Sequence, residues 1–250
     1  MKIRSQLKDA YQLDSRLFAL SLRGKELGET VKQAKAELRD ARARQVEYTG
    51  FRALWDKAHG RYADKMEALD HRVRRAEAEL KLLQRQQSEI TEEISDIQTA
   101  KSSLPSMEEL KAAALESPET ARLWAALECR LCAAKLPPLL EKNEQALLEY
   151  RRLLRGEYPV LSVEQQQTIS AEPDIWAQQC SELLERLQEP LGILGMALEI
   201  PPYYQSPIFF LMYAAAKHNR MDRASQALDQ VQEVRRLIAG IPMQLDAADS

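Results

Sequence analysis

Residues 76–97 read AEAELKLLQRQQSEITEEISDI. Within them, apolar side chains recur every seven residues, at Ala76, Leu83, Ile90 and Ile97, and a second apolar row runs between these positions. Two apolar rows with a mean spacing of 3.5 residues form the seam of a coiled coil. The remaining positions are rich in Glu, Lys, Arg and Gln, as is typical of solvent-exposed helix faces. The segment therefore predicts a long helix whose apolar stripe must be covered by another helix.

The same repeat extends through the whole first part of the chain. Steps of seven residues from Leu13 to Leu104 give 14 positions, and every one of them is apolar or aromatic. No proline precedes Pro105, although the chain of 250 residues contains 11 prolines. Because proline interrupts helices, this asymmetry indicates that the chain has two parts, a first part without helix interruptions and a second part with them. We predict an all-α protein with a coiled-coil arm over 1–104 and a helical bundle over 105–250.

Two arrangements of the arm satisfy the repeat. In the first, the arm is one helix of about 100 residues, about 150 Å long, which forms a parallel homodimer. In the second, the chain folds back near residue 53 into an antiparallel hairpin that sets Leu27 opposite Leu80. The second apolar row fails in the middle of the arm, at Gln45 and His59, and this favours the hairpin.

The middle of the arm, near 48–62, has a distinct composition. Between Arg39 and Arg75 there are ten Lys or Arg residues against six Asp or Glu residues. The candidate partner-binding residues in this region are Tyr48, Phe51, Arg52, Trp55, Lys57 and Arg61. One interpretation is that the aromatic residues only fill the seam. A second is a protein interface, where Trp, Tyr and Arg dominate binding. A third is a nucleic-acid contact through base stacking and phosphate binding.

Helix signals fill the C-terminal part. The residues that begin helices are Ser106, Ser117 and Ser162, and those that end them are Gly156 and Gly240. We expect about six or seven short helices in a bundle or a short helical-repeat-like domain. Near its end, Leu211, Ala215, Asn219, Met221, Ala224 and Leu228 resemble the small and large positions of one tetratricopeptide-like helix pair. This resemblance implies a helix–turn–helix packing unit over 208–231.

The loop at 200–207 contains three prolines that restrict its backbone to extended conformations. Two interpretations remain open for Tyr203 and Tyr204, which lie between these prolines. The loop is either a rigid connector between helices or a docking edge at which both tyrosines are exposed to a partner. We therefore include both tyrosines among the candidate partner-binding residues.

Motifs for catalysis or metal binding are scarce. Cys129 and Cys132 are separated by two residues, but a zinc site needs four ligands, and only Cys180 and three histidines remain. Buried cysteines act as small hydrophobic residues, and this is the favoured interpretation, with a metal or redox role left open. Neither a nucleophile–base pair nor a phosphate-binding glycine loop is recognisable. We expect no enzyme activity, no cofactor and no metal site.

Composition restricts the remaining function classes. The formal charge of −3 gives no general argument for nucleic acid or membrane binding, and the longest apolar run, at 208–216, has nine residues where a membrane span needs about 20. An odd number of cysteines suits a reducing compartment, so we expect a cytoplasmic protein. The favoured function is a non-enzymatic helical scaffold or adaptor for protein–protein interaction. The alternative is a nucleic-acid-binding coiled-coil arm that acts through a basic, aromatic tip.

Overall fold

A computed structural model describes residues 2–48, 51–212 and 217–248, and these residues contain helices and no strand. In chain order the helices are α1 (Lys2–Glu47), α2 (Phe51–Ala58), α3 (Tyr62–Ser102), α4 (Met107–Leu115), α5 (Pro118–Arg155), α6 (Val163–Ile193), α7 (Pro202–Gln205), α8 (Pro207–Met212) and α9 (Lys217–Ala248). The prediction of an all-α protein with a long N-terminal coiled coil is confirmed.

The chain divides into two compact units. Unit 1 comprises residues 1–15 together with 105–250, and unit 2 comprises residues 16–104. The sequence analysis placed all of residues 1–104 in the arm, whereas the first turns of α1 belong to unit 1. The cause is burial, since Leu7 is 0% exposed and Tyr11 is 4% exposed.

Unit 2 is an antiparallel helical hairpin. Arg42 Nη2 of α1 lies 2.7 Å from Glu77 Oε1 of α3, and nearer the turn the Gln45 amide donates to the Asp70 carboxylate. Buried apolar residues of both helices lie in the predicted seam, among them Leu38. The chain thus covers its own apolar stripe, and the straight helix of about 100 residues is not formed.

The register of this hairpin differs from the predicted one. The predicted pairing places Gly24 opposite residue 83, but a Cβ atom built on Gly24 lies 3.5 Å from Ile90 Cγ2. The arms are therefore displaced from the predicted pairing by about one heptad, and the turn between them contains the separate helix α2. A displacement of one heptad keeps both apolar rows in the seam.

Unit 1 packs around α5, α6 and α9. Its core includes the fully buried Leu136, Leu140, Leu184, Leu187, Val231 and Val234. The predicted N-terminal caps are present, with complete capping boxes at Ser106 and Ser162. Gly156 ends α5 with φ of 74°, a left-handed conformation that favours glycine.

Two expectations for this unit are wrong. Its main helices are long rather than short, with 38, 31 and 32 residues in α5, α6 and α9. Gly240 lies inside α9 and ends no helix, because α9 also continues through Pro242. Of the tetratricopeptide-like stretch, residues 208–212 lie in α8 and residues 217–231 lie in α9, and residues 213–216 lie outside the described residues. None of the helices in the described ranges combines the length and the apolar content that a membrane crossing requires.

Candidate partner-binding site at the hairpin tip

The tip spans residues 48–62, and its described part, residues 48 and 51–62, is built around α2. The backbone N–H of Gly60 donates to the carbonyl of Lys57 at 3.2 Å, and the N–H of Arg61 donates to the carbonyl of Asp56 at 2.8 Å. Gly60 has φ of 68°, in the left-handed region that side chains with a Cβ rarely adopt. Glycine at this position therefore lets the chain reverse directly into α3.

A buried carboxylate anchors α2 to the hairpin. Asp56 is 4% exposed, and its two carboxylate oxygens accept hydrogen bonds from Lys65 Nζ at 2.7 and 2.8 Å. The hydroxyl of Tyr48 donates to the same carboxylate. A buried charge of this kind is tolerated when it is paired and hydrogen-bonded. The anchor holds α2 in one orientation against both arms.

The opposite face of α2 is apolar and open to solvent. Ala53 and Asp56 are buried and lie three residues apart, so they share the inner face of the helix. The next side chains around the helix point outward, with Leu54 63% exposed and Trp55 58% exposed. Isolated exposed apolar residues are common, whereas two adjacent large ones on one turn make a candidate contact surface.

Two exposed basic side chains lie on the same turn as this apolar face. Lys57 and Arg61 are exposed, and Lys57 Nζ lies 4.6 Å from the centre of the Tyr62 ring, a cation–π contact. The ring of His59 lies 4.5 Å from that of Trp55. The tip thus presents an apolar centre bordered by basic side chains.

The structure brings part of the predicted set together. Trp55, Lys57 and Arg61 lie on one exposed turn, and Tyr48 is half-buried in the anchor. The side chains of Phe51 and Arg52 lie outside the described residues. Sequence reasoning missed Leu54 because it falls on neither apolar row. The interpretation that the aromatic residues only fill the seam is wrong for Trp55, which is 58% exposed. No apolar period in the sequence marks α2, because the two residues that it buries are a small one, Ala53, and a charged one, Asp56.

Tyr203 and Tyr204 form no docking edge in this structure. Both are 0% exposed, so the interpretation as exposed residues is wrong, and the expectation of an extended loop is wrong as well, because Pro202–Gln205 forms α7. Their rings pack at 5.0 Å in the core of unit 1, and burial raises the pKa of both phenols. The amide of Asn143 donates to the Tyr203 hydroxyl at 3.0 Å and its carbonyl accepts from the Tyr204 hydroxyl at 3.1 Å. The hydrogen bonds that these hydroxyls make explain how two tyrosines fit inside an apolar core.

The cysteines lie in the same core. Cys129 and Cys132 are fully buried, and desolvation, reinforced by the charge of Glu128, raises the pKa of each thiol to about 12. Cys180 is also buried and free of any disulfide. A thiol with such a pKa is protonated at neutral pH and is a poor nucleophile and metal ligand. Among the described residues, no group of His, Cys, Asp and Glu is arranged to hold a metal ion.

Comparisons of this chain with protein-family models, with curated proteins and with solved structures find no match.

Proposed function

We propose that the chain is a non-enzymatic helical adaptor of the cytoplasm whose hairpin tip binds a partner protein. The observation that carries this proposal is the exposure of Leu54 and Trp55 on one turn. Tryptophan at the centre of an interface and arginine beside it are the side chains that most often dominate binding energy. With Lys57 and Arg61 at its border, the tip suits a partner surface with an apolar patch flanked by acidic residues.

The contacts within the tip support the same function. Asp56 is fixed by Lys65 and Tyr48, and Lys57 lies over the ring of Tyr62. Binding by side chains that are already ordered loses less conformational entropy than binding by a flexible loop. The tip is therefore suited to specific recognition.

The cytoplasmic location rests on the cysteines. All three are unpaired and buried, and none forms a disulfide. Proteins of oxidising compartments commonly use their cysteines as disulfide staples, whereas reducing compartments keep thiols free.

The test compares a tip variant with a matched surface variant. In the tip variant Leu54→Ser and Trp55→Ser are combined, and in the control Val160→Ser and Val163→Ser remove two other exposed apolar side chains, 89% and 72% exposed. Proteins crosslinked to the wild-type chain in cell extract are identified, purified and measured for binding to all three forms. We expect a partner whose affinity falls about tenfold or more for the tip variant alone, which corresponds to about 1.4 kcal/mol. Equal affinity of the tip variant for every purified partner would refute the proposal.

A nucleic-acid-binding arm is the second candidate, and the exposed cations Lys57 and Arg61 beside the Trp55 and His59 rings support it. Its test is the binding of labelled single-stranded RNA at several salt concentrations. Phosphate contacts predict that log K falls linearly with log salt, and that Lys57→Glu with Arg61→Glu removes both binding and its salt dependence. An apolar protein interface predicts a much smaller response to salt.

A further inference from the structure

A basic cleft lies between the two arms of the hairpin, next to the tip. Its volume is about 540 Å³, within the range of small-ligand sites. The residues that line it include Arg44, Glu47 and Tyr48 of α1 and Lys65, Leu69 and Arg72 of α3. Among the described residues of its wall, three side chains are cationic and one is a carboxylate.

One of the three cations is already neutralised. Lys65 Nζ lies 2.7 Å from a carboxylate oxygen of the buried Asp56. Arg44 and Arg72 are exposed, and neither forms an ion pair with any residue in the described ranges. Glu47 is also exposed and forms no ion pair with Arg44 or with any other described residue. Two uncompensated guanidinium groups therefore share the cleft with one carboxylate.

The two free arginines lie at the same level of the hairpin, one on each arm. Gln45, the residue after Arg44, donates to the carboxylate of Asp70, which lies two residues before Arg72. Both arginines line the same cleft, so they flank the seam on the same side. Two like charges thus oppose each other across the arms.

This arrangement departs from the rest of the hairpin. Elsewhere, residues that flank the seam on opposite arms carry opposite charges, because Arg16 pairs with Glu93 and Arg42 pairs with Glu77. Such pairs are the usual way in which two helices of a coiled coil select each other. A place where the pairing rule is broken at a cost in stability is where a binding site is expected.

An anion between the two guanidinium groups removes their repulsion. Guanidinium binds phosphate through two parallel N–H···O bonds. A phosphoryl group carries about two negative charges at neutral pH and three acceptor oxygens, so both arginines can bind it at once. The half-buried side chains of Tyr48 and Leu69 supply apolar wall for the carbon atoms that carry the phosphate.

We propose that this cleft binds the phosphoryl group of a phosphorylated side chain in the partner protein, with Arg44 and Arg72 as its ligands. The inference deepens the function proposed for the tip and rests on it. Phosphorylation of the partner strengthens the complex, and dephosphorylation releases it. Lys65 remains bound to Asp56 and holds the wall of the cleft in place.

The probes are two pools of fluorescein-labelled short peptides with random flanking residues. One pool has serine at its centre and the other has phosphoserine. Binding to the full chain is measured by fluorescence anisotropy at about 0.15 M salt, where attraction between distant surface charges is screened. We expect the phosphoserine pool to bind at least about tenfold more tightly than the serine pool.

The decisive variant combines Arg44→Gln with Arg72→Gln. We expect its affinity for the phosphoserine pool to fall at least about tenfold, while its thermal midpoint stays the same or rises because a like-charge repulsion is removed. The matched control combines Arg39→Gln with Arg74→Gln, two exposed arginines of the same helices that do not line the cleft. It loses the same charge and should bind the pool as wild type does.

Three results would overturn the proposal. The first is a phosphoserine pool that binds no more tightly than the serine pool. The second is an equal loss of affinity in the cleft variant and in its control, since general attraction to a basic surface is then sufficient. The third is a labelled single-stranded RNA that binds more tightly than the phosphoserine pool and loses its affinity in the cleft variant, which would make a nucleic-acid phosphate the occupant.

Failure here is distinguishable from failure of the function proposed for the tip. The peptide pools contain no natural partner. Loss of peptide binding in the cleft variant alone therefore supports the cleft whatever the substitutions at Leu54 and Trp55 do to the partners from cell extract. An unaffected pool refutes the cleft even where those substitutions abolish partner binding.

Discussion

The hydroxyl of Tyr11 donates a hydrogen bond of 2.5 Å to the carboxylate of Glu128, a residue 117 positions later in the chain. Glu128 is 4% exposed and also accepts from Arg186 Nη2 at 2.5 Å. This contact fixes the first turns of α1 within unit 1.

Substituting Tyr11 should destabilise unit 1 less than substituting Glu128. Tyr11→Phe leaves Glu128 still paired with Arg186, so we expect a loss of about 1–2 kcal/mol in the free energy of unfolding. Glu128→Ala leaves both donors without their acceptor, and we expect about 3 kcal/mol, moderated by the half-exposed position of Arg186. Chemical denaturation monitored by circular dichroism measures both. Glu119→Ala removes an exposed ion pair with Arg4 and should change the stability by less than about 0.5 kcal/mol. Equal losses for all three variants would contradict the role of the buried carboxylate.

Asn143 should be essential for the core of unit 1. Its amide donates at 2.9 Å to the Pro173 carbonyl and at 3.0 Å to the Tyr203 hydroxyl, and its carbonyl accepts from Tyr204. Asn143→Ala leaves buried polar groups with fewer partners, so we expect a loss of about 3 kcal/mol. Thermal unfolding is the measurement, with the exposed Asn219→Ala as control. A small effect at Asn143 would mean that water replaces the amide.

The stability of unit 1 should depend on the titration of Asp174. Desolvation raises the pKa of this carboxyl from 3.8 to about 6. The folded chain therefore binds the proton more tightly than the unfolded chain, and stability falls as the pH rises from about 4 to about 6. Asp174→Asn removes this dependence and should be more stable than wild type at pH 7, on the order of 1 kcal/mol after allowance for partial exposure. Denaturation at pH 4 and pH 7 tests the sign, and a wild-type advantage that grows with pH would contradict it.

Alanine substitutions at two glycines of the hairpin should have opposite effects on its stability. A Cβ on Gly24 meets Ile90 at 3.5 Å, an ordinary van der Waals contact, so Gly24→Ala should stabilise the helix by up to about 1 kcal/mol. Gly60 has φ of 68°, so Gly60→Ala should destabilise the turn by about 1–2 kcal/mol although no atom lies near. Thermal midpoints of the two variants provide the comparison. A gain at Gly60 would show that the turn adopts another conformation.

The repeat predicted the hairpin but could not determine its register. A seven-residue displacement leaves the sequence pattern of the seam unchanged, so Gly24 is equally compatible with residue 83 and with Ile90. What selects one register is the length of the turn, and that depends on whether α2 forms. The anchor of α2 is the contact between Asp56 and Lys65, and no apolar period predicts it.

Proline was the misleading signal in the second part of the chain. Pro137 and Pro138 suggest a helix boundary, yet α5 runs through them. Tertiary packing outweighs the local penalty there, since Leu136 and Leu140 on either side of the pair are fully buried. Composition was enough to predict the position of the tip. The exposure of Leu54 and the burial of Tyr203 depend on packing, which the sequence pattern does not show.

The placement of residues 1–15 in unit 1 constrains the order in which the chain can fold during translation. The two arms of the hairpin can pair as soon as both have emerged, without help from later residues. Leu7 and Tyr11, although synthesised long before α5, must wait for that helix before Tyr11 can pair with Glu128. Until then the first turns of α1 expose apolar surface, and this is the interval in which a chaperone or an incorrect neighbour has access to it.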